Sequence, residues 1–328
     1  MNQLVSVIVP VYNHEKFIGT TIESIIAQSY ENWELLIVDD CSTDGSWRII
    51  QEYEKKDNRI RVFRNDVNKG LIPNWKFLID ESKGEYLAFL EGDDVFCKEN
   101  IAKKIKKFEQ FPGLGMVYCN FNVVDGEGNV LINDYRSFQK VRVYKNESIS
   151  PEEYLSSKYH LINSYGQVMI RAVVIEKNGY PRTLDSSAKV FLPSDWDFNF
   201  RVARSNKIFY VDDVLFGYRR HANNNSYDAV KAYQHISLLL DEYKKMFSGD
   251  NAVLRAIQYK RSRYIYSKII YFLELGNKCE AWNEFGSYIM ALRWKSFSDI
   301  NLNLRLLIRI LLPNWINFRI KKIYYNQQ

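Results

Sequence analysis

Three carboxylates lie within four residues of one another, at Glu91, Asp93 and Asp94. They follow an apolar run, residues 86–90, whose length is typical of a buried strand. Like charges this close repel one another, so the group favours a bound cation over an ordinary solvated surface turn. Mg²⁺ and Mn²⁺ prefer oxygen ligands and share them with phosphates, which predicts a metal-diphosphate site here.

A second acidic pair, Asp39 and Asp40, directly follows another apolar run, residues 33–38. Carboxylates accept hydrogen bonds from ribose hydroxyls and from base N–H groups, and a strand end would hold them rigidly. The alternative is that the pair caps a helix or shapes a turn. Two strands that both end in acids predict one site for a nucleoside diphosphate at one edge of a sheet.

The elements that would position these acids alternate between strand and helix. Strands are predicted over residues 5–10, 33–38, 60–63, 86–90, 116–118, 167–171 and 208–211. Helices are predicted over residues 16–28, 75–81, 101–111 and 195–204. This alternation predicts an α/β fold in which a mostly parallel sheet is flanked by helices. Residues 120–160 are predicted to be irregular.

The chain is predicted to form two domains, 1–225 and 226–328. After residue 226 the pattern becomes helical, over residues 229–247, 251–275 and 278–293, with a turn at Gly276 and Asn277. This part carries 16 basic and 8 acidic residues, whereas the first 225 residues carry 29 and 31. The basic excess is therefore C-terminal and mixed with long aliphatic runs, which argues against a nucleic-acid partner.

Composition indicates a cytoplasmic protein. The four cysteines, at positions 41, 97, 119 and 279, form no CxxC pair, and a chain of 328 residues needs no disulfides to fold. No signal peptide is recognised at the start, and no run of about 18 apolar residues could span a bilayer. The first strand is followed neither by a GxGxxG motif nor by a P-loop, which excludes the dehydrogenase and kinase classes that use them.

Several motifs, in this order, resemble those of family-2 glycosyltransferases with the GT-A fold, of the type that builds bacterial polysaccharides. They lie at residues 5–13, 37–46, 84–94, 194–201 and 215–226. The resemblance covers about residues 4–226 and implies a nucleotide-sugar donor. On the residues that match, it implies a nucleotide-binding set consisting of Pro10, Tyr12, Asn13, Asp39, Asp40, Lys69, Glu91 and Gly92. An ordinary exposed lysine remains the alternative for Lys69.

The resemblance also implies a divalent cation, Mn²⁺ or Mg²⁺, held by Asp93, Asp94 and His221. Asp195 matches the general base of the family, and Asp197 is the second candidate for that role. Trp196, Asp197, Arg219 and Arg220 are then candidates for contacts with phosphate or acceptor. Two positions depart from the family pattern: Glu91 replaces the first aspartate of the metal motif, and Ser194 replaces the glutamate before the base.

These residues predict a metal-dependent inverting glycosyltransferase that moves a sugar, with UDP the expected carrier, to a hydroxyl of a glycan or lipid-linked acceptor. A degenerate binding protein and a sugar-nucleotide pyrophosphorylase are the alternatives. The segment 301–325 combines aliphatic, aromatic and basic residues, which suits binding at the inner face of the cell membrane. Packing on the catalytic domain, or a dimer contact, would explain the segment equally well. The oligomeric state is left open.

Overall fold

The structure, a computed structural model, describes residues 3–135, 143–157, 162, 164–187, 191–221 and 229–292. The chain divides into two compact units, Met1–Asn225 and Ser226–Gln328. The first contains a single sheet and the second consists of helices over its described residues.

The sheet of the first unit has ten strands among the described residues. They are β1 Val5–Val11, β2 Trp33–Asp39, β3 Ile60–Arg64, β4 Tyr86–Phe89, β5 Val95–Phe96, β6 Leu114–Val124, β7 Val130–Ile132, β8 Lys145–Glu147, β9 Val168–Arg171 and β10 Lys207–Arg219. The order across the sheet is β3-β2-β1-β4-β9-β6-β10-β5, with β7 paired to β6 and β8 to β10. Strands β3, β2, β1, β4, β6 and β10 run in one direction, and β9 runs against its neighbours β4 and β6. The predicted α/β fold with a mostly parallel sheet is confirmed.

Helices cover both faces of this sheet. They are α1 Ile18–Ile26, α2 Ser46–Glu54, α3 Leu71–Glu81, α4 Asn100–Gln110, α5 Pro151–Ser156, α6 Val174–Asn178 and α7 Ser194–Ser205. Helices α1 and α4 pack their apolar residues with those strand residues that point to one face. On the other face, Trp75 of α3 and Phe198 of α7 both pack against Phe89 of β4, with ring centroids 5.3 and 5.6 Å away.

The prediction of an irregular segment over residues 120–160 is wrong at both ends. Strand β6 continues to Val124, and the segment also contains β7, β8 and α5. Asn120 and Asn122 interrupt the apolar run of β6, but the buried amide of Asn120 is bonded within the fold, to Phe121 N among others. The predicted strand at 208–211 likewise extends to Arg219, past a bulge at which Asp212 and Asp213 are exposed.

The second unit contains helices α8 Ala229–Met246, α9 Asn251–Glu274 and α10 Lys278–Leu292, as the sequence predicts. Helices α9 and α10 share a small apolar core and an ion pair in which Lys268 Nζ lies 2.7 Å from Glu284 Oε1. Gly276 turns the chain between them in the left-handed region, with φ of 75°. No helix within the described ranges is both long and apolar enough to cross a membrane. The segment 301–325 lies outside the described residues.

Candidate active site

The acidic turn, Glu91 to Asp94, follows β4 directly, and it brings its three carboxylates together. One oxygen from each of Glu91, Asp93 and Asp94 lies within 4.8 Å of the others. Desolvation, with the charges of Asp93 and Asp195, raises the pKa of Glu91 to about 8. Burial and the charges of Asp93 and Glu91 also raise the pKa of Asp94 well above its usual value. The cluster is therefore electrostatically strained without a cation.

Backbone contacts hold the acidic turn in place. Thr21 Oγ1, buried on α1, lies 2.8 Å from Asp94 O and 3.1 Å from Gly92 O. A Cβ on Gly92 would lie 2.6 Å from His14 Nδ1, so only glycine fits this close approach. Gly92 therefore shapes the turn through the absence of a side chain.

Arg219 at the end of β10 braces the same turn. Its backbone N donates to Asp94 Oδ1 at 2.8 Å, and its Nε donates to Asp93 O at 2.7 Å. The guanidinium also donates to the carbonyls of Asp125 and Gly126, and the side chain is buried. This geometry does not fit the interpretation of Arg219 as a phosphate ligand, because its N–H groups already bind backbone carbonyls. Arg220 differs: its side chain is exposed and only its backbone N is fixed, to Val124 O at 2.8 Å.

His221 joins the cluster from the other side. Its Nε2 lies 2.9 Å from Asp93 Oδ2, and its ring stacks on Phe17 with centroids 4.6 Å apart. Burial raises the pKa of Asp93, but the hydrogen bond with His221 and the charges of His14 and His221 outweigh it and hold that pKa below its usual value. The structure thus brings together all three predicted metal ligands, Asp93, Asp94 and His221.

The cluster fits a divalent cation. Asp94 Oδ2 is buried and has no hydrogen-bond partner among the described residues, whereas Oδ1 is bonded to Arg219. A buried carboxylate oxygen without a donor is costly unless a ligand reaches it. Oxygen donors alone suit Mg²⁺ and Mn²⁺, and Glu91, Asp93 and Asp94 would hold the ion.

Asp195 lies in the first turn of α7 and faces the acidic turn, since its charge contributes to the raised pKa of Glu91. Its Oδ1 accepts a hydrogen bond from Trp196 N at 2.7 Å. Burial nevertheless dominates and raises the pKa of Asp195 to about 7. A carboxylate with such a pKa is a better proton acceptor than an ordinary aspartate.

Asp197 has a different environment, which corrects its interpretation as a reserve base. It is fully buried and accepts from Arg182 at 2.9 and 3.0 Å and from Arg201 at 2.9 Å. Three charged donors stabilise the ionised form, so this carboxylate is a poor base. Trp196 is also buried and packs against Tyr154, with centroids 5.6 Å apart, which does not fit a contact with an acceptor.

The two arginines also fasten the segment between α6 and α7. Arg201 donates to the carbonyls of Asn178 and Tyr180. Tyr180 OH in turn donates to Asp80 of α3, and Lys76 lies over the Tyr180 ring at 5.3 Å. This segment, residues 178–182, is therefore tied to both α7 and α3.

The second predicted acidic pair lies beyond β2, at the same edge of the sheet as the acidic turn. Strand β1 lies between β2 and β4, so the two acidic groups are separated by about two strand spacings, roughly 10 Å. Asp39 Oδ2 accepts from Ser42 N at 3.2 Å and forms an ion pair with Arg64, whose Nε also lies 3.2 Å away. Asp39 Oδ1 is buried with no hydrogen-bond partner in the described part of the chain. Asp39 thus offers one free acceptor to a ligand.

Asp40, by contrast, organises the loop before α3. Its carboxylate accepts from Lys69 N, Gly70 N and Asn65 Nδ2, each at 2.8 Å. The Lys69 side chain itself is exposed. Sequence reasoning identified the acids but missed Arg64, whose position at the end of β3 on the same edge was the available signal.

The end of β1 completes this edge. Pro10 is buried in the strand, opposite Val38 of β2. Tyr12 follows the strand and is 45% exposed, available to a ligand. Asn13 adopts φ of 58°, and its Oδ1 accepts from Thr43 N at 2.9 Å, so it joins the two loops.

Comparison with known proteins identifies the family. The model for Glycosyl transferase family 2 matches residues 6–226. A putative teichuronic acid biosynthesis glycosyltransferase, TuaG of Bacillus subtilis, is 43% identical over 103 residues, which are 31% of this chain and 41% of TuaG. A GalNAc(5)-diNAcBac-PP-undecaprenol beta-1,3-glucosyltransferase of Campylobacter jejuni is 23% identical over 268 residues, covering 80% of this chain and 82% of that protein.

Solved structures share the fold. S. aureus TarS 1-349 in complex with UDP-GlcNAc matches with a TM-score of 0.64 at 19% identity, over 88% of this chain and 81% of that one. The mannosyltransferase PcManGT from Pyrobaculum calidifontis, in complex with GDP-Man and Mn²⁺, matches with a TM-score of 0.56 at 15% identity, over 95% and 86%. The GT-A fold predicted from the sequence is thereby confirmed.

The electrostatic strain of the acidic turn leads to a prediction for Asp94→Asn. Without divalent metal, this change removes a buried carboxyl group whose ionisation is opposed by Asp93 and Glu91, and it keeps the oxygen that accepts from Arg219. We expect the melting temperature to rise by about 2–8 °C and the stabilisation by Mn²⁺ to be lost. Thermal unfolding with EDTA and with Mn²⁺ measures both effects.

Asp213→Asn is the matched control, because Asp213 is exposed and, among the described residues, pairs with Lys103 at the surface. The Asp213→Asn protein should be stabilised by Mn²⁺ as strongly as the wild type. An Asp94→Asn protein that Mn²⁺ stabilises as strongly as the wild type would contradict the assignment.

Proposed function

The chain belongs to glycosyl transferase family 2, and we propose that it is a metal-dependent inverting enzyme that moves a sugar from UDP to a hydroxyl of a glycan or lipid-linked acceptor. The observation that carries this proposal is the pairing of Asp195, with its raised pKa, and the acidic turn at one sheet edge. A proton acceptor and an anion-binding centre are the two groups that sugar transfer from a diphosphate requires.

Asp195 would accept the proton of the acceptor hydroxyl as that oxygen attacks the anomeric carbon. A sugar hydroxyl is a weak nucleophile, so a carboxylate with a pKa of about 7 suits this task at neutral pH. One base and direct displacement suffice for a single inversion at the anomeric carbon, as the family resemblance implies. Asp197 cannot substitute for Asp195, because both arginines hold it in its ionised, hydrogen-bonded form.

Glu91, Asp93 and Asp94 would hold the Mn²⁺ or Mg²⁺, with His221 beside Asp93. When bound, the cation would neutralise charge that develops on the departing diphosphate. Arg219 and Thr21 would fix the turn by donating hydrogen bonds to its backbone carbonyls, so that the carboxylates need not rearrange during the reaction.

The environment of Asp39 supports uridine as the nucleoside. Asp39 has one free oxygen, Oδ1, while Oδ2 is engaged by Arg64 and Ser42. Uracil presents a single N–H donor between two carbonyl acceptors, which would match this oxygen and the adjacent Arg64 guanidinium. Guanine presents two neighbouring N–H donors, which would need both carboxylate oxygens.

The acceptor class rests on the relatives and on the C-terminal segment. The names of two relatives refer to teichuronic acid biosynthesis and to an undecaprenol-linked glycan. A basic, aromatic and aliphatic segment at residues 301–325 would suit an enzyme that works beside anionic lipids at the inner face of the membrane. The two units, 1–225 and 226–328, would then divide catalysis from attachment.

Of the alternatives, a pyrophosphorylase is disfavoured by family membership and by the absence of a Gly-rich phosphate loop after the first strand. A degenerate binding protein was suggested by Ser194 and Glu91. The raised pKa of Asp195 argues for a working enzyme, because a protein that only binds a nucleotide would gain nothing from a strong proton acceptor.

Nucleoside preference can be tested at Asp39. Asp39→Asn exchanges an acceptor for an amide donor facing the base, so UDP affinity should fall by about tenfold or more. Cytosine has an acceptor where uracil has the N–H. The affinity of the variant for CDP should therefore fall less than its affinity for UDP, or should rise. Calorimetric titration of UDP and CDP in Mn²⁺ measures both.

A change of preference toward CDP separates a base contact from general damage, which would weaken both ligands equally. An equal loss for UDP and CDP, or none, would rule out Asp39 as the group that reads the base.

Catalysis can be tested at Asp195. Asp195→Asn keeps the size of the side chain but cannot accept a proton, so transfer should fall by about 10²–10⁴-fold. Binding of UDP and Mn²⁺ should stay within a factor of about two. Asp213→Asn, a change at an exposed aspartate in the bulge of β10, serves as the control and should retain full turnover. Near-normal turnover of the Asp195 variant would defeat the assignment.

The pH dependence of the wild type follows from the raised pKa of Asp195. Below that pKa the carboxyl group is protonated and cannot act as a base, so activity is lost as the pH falls through about 7. We expect kcat/KM to rise tenfold per pH unit on the acid side and to level off above about pH 7. A profile that stays flat down to about pH 5 would contradict this role.

A further inference from the structure

Tyr165 begins a 3-10 turn, Tyr165–Gln167, that leads into β9. The turn is fixed at both of its other residues. A Cβ on Gly166 would lie 2.2 Å from the Phe216 ring, so the backbone packs directly on that ring. The Gln167 amide donates to Cys119 O at 2.7 Å on β6. The backbone that carries Tyr165 therefore has little freedom to move.

Three aromatic rings surround the Tyr165 ring. The centroid of Trp75 lies 5.1 Å away, that of Phe89 5.6 Å and that of Phe198 6.1 Å. Tyr165 is 1% exposed, so its ring cannot change rotamer without disturbing these neighbours. Phe89 is the last residue of β4 and directly precedes the loop of the acidic turn. The phenol is thus held beneath the site by packing alone.

The hydroxyl of Tyr165 has no hydrogen-bond partner among the described residues, although it is buried. Its polar surroundings are the start of α7. Burial raises the pKa of Tyr165 well above its usual value, and the charge of Asp195 adds to this. A hydrogen-bonding interaction with the nearby Ser194 hydroxyl, which falls outside ordinary hydrogen-bond geometry, acts against it. The phenol therefore stays protonated and can donate. A buried donor without an acceptor is costly, which points to a ligand that supplies one.

Asn199 shows the same feature one turn later on α7. It is fully buried, and neither its Oδ1 nor its Nδ2 has a hydrogen-bond partner in the described ranges. Residues four apart lie on one face of a helix, so Asn199 lies on the face that carries Asp195. Asn199 therefore leaves one hydrogen-bond acceptor and one donor unsatisfied on this face. A ligand with several hydroxyl groups could pair with both.

We propose that Tyr165 binds the sugar of the nucleotide-sugar donor, its phenol donating a hydrogen bond to a sugar hydroxyl enclosed by Ser194, Asp195 and the acidic turn. The charge of Asp195 acts on both Glu91 and Tyr165, so Asp195 lies near both groups. A sugar attached to a diphosphate at the acidic turn would extend from there toward the base. This inference rests on the proposed function, which supplies the diphosphate and the base.

The test is Tyr165→Phe in the full-length chain, with UDP and a UDP-sugar titrated separately in Mn²⁺. The UDP-sugar is whichever of UDP-glucose, UDP-galactose and UDP-N-acetylglucosamine the wild type binds most tightly. We expect affinity for the UDP-sugar to fall by about 3- to 10-fold, as for one lost neutral hydrogen bond. Affinity for UDP, which has no sugar to reach the phenol, should stay unchanged.

Thermal unfolding of the ligand-free protein provides the second readout. Removing a buried hydroxyl that lacks a protein partner should leave the melting temperature unchanged or raise it. The control is Tyr154→Phe, because the Tyr154 hydroxyl donates to Trp196 O at 3.3 Å on the same helix. That variant should melt lower and should keep the wild-type ratio of UDP-sugar to UDP affinity.

Three results would overturn the inference: equal loss of UDP and UDP-sugar affinity, no loss of either, or a marked drop in the melting temperature of Tyr165→Phe. The first would indicate general damage to the pocket, and the third a structural role for the hydroxyl. Failure of the proposed function gives a different result, because the wild type would then bind none of the three UDP-sugars, and the inference would fall with it.

Discussion

The structure depends on one unfavourable interaction, the crowding of three carboxylates in a place with little water. Repulsion between Glu91, Asp93 and Asp94 would open the turn unless the backbone held it. Thr21 and Arg219 do so by binding main-chain oxygens, which leaves the carboxylates facing the space where a cation and a diphosphate would lie. The repulsion lowers the stability of the folded state at this turn, and the same carboxylates attract positive charge, as is common at functional sites.

The parts of the site that follow from sheet geometry could be predicted from the sequence. Asp39 and Glu91 each come directly after an apolar run, and parallel strands place such residues at one edge. The helix predicted over residues 195–204 agrees with α7, whose acidic first turn complements the helix dipole. These inferences need only local patterns and the direction of the strands.

The remaining errors concern which polar side chains are already paired. Asp195 and Asp197 are two residues apart and look alike in the sequence, yet only Asp197 pairs with two arginines, Arg201 one turn along the same helix and Arg182 from the segment before it. Arg219 and Arg220 differ in the same way, one buried against backbone carbonyls and the other exposed. The buried hydroxyl of Tyr165, which makes no hydrogen bond of ordinary geometry, could not be predicted either, because this depends on where residues distant in the sequence place their polar atoms.

The ties of the segment 178–182 bear on the thermodynamics of substrate capture. Arg182 and Arg201 join this segment to α7, and Tyr180 joins it to α3. Its conformational entropy is therefore lost once, during folding, and is not lost again whenever a substrate arrives. A segment ordered in this way adds no entropic cost to binding, so any induced fit has to come from other segments.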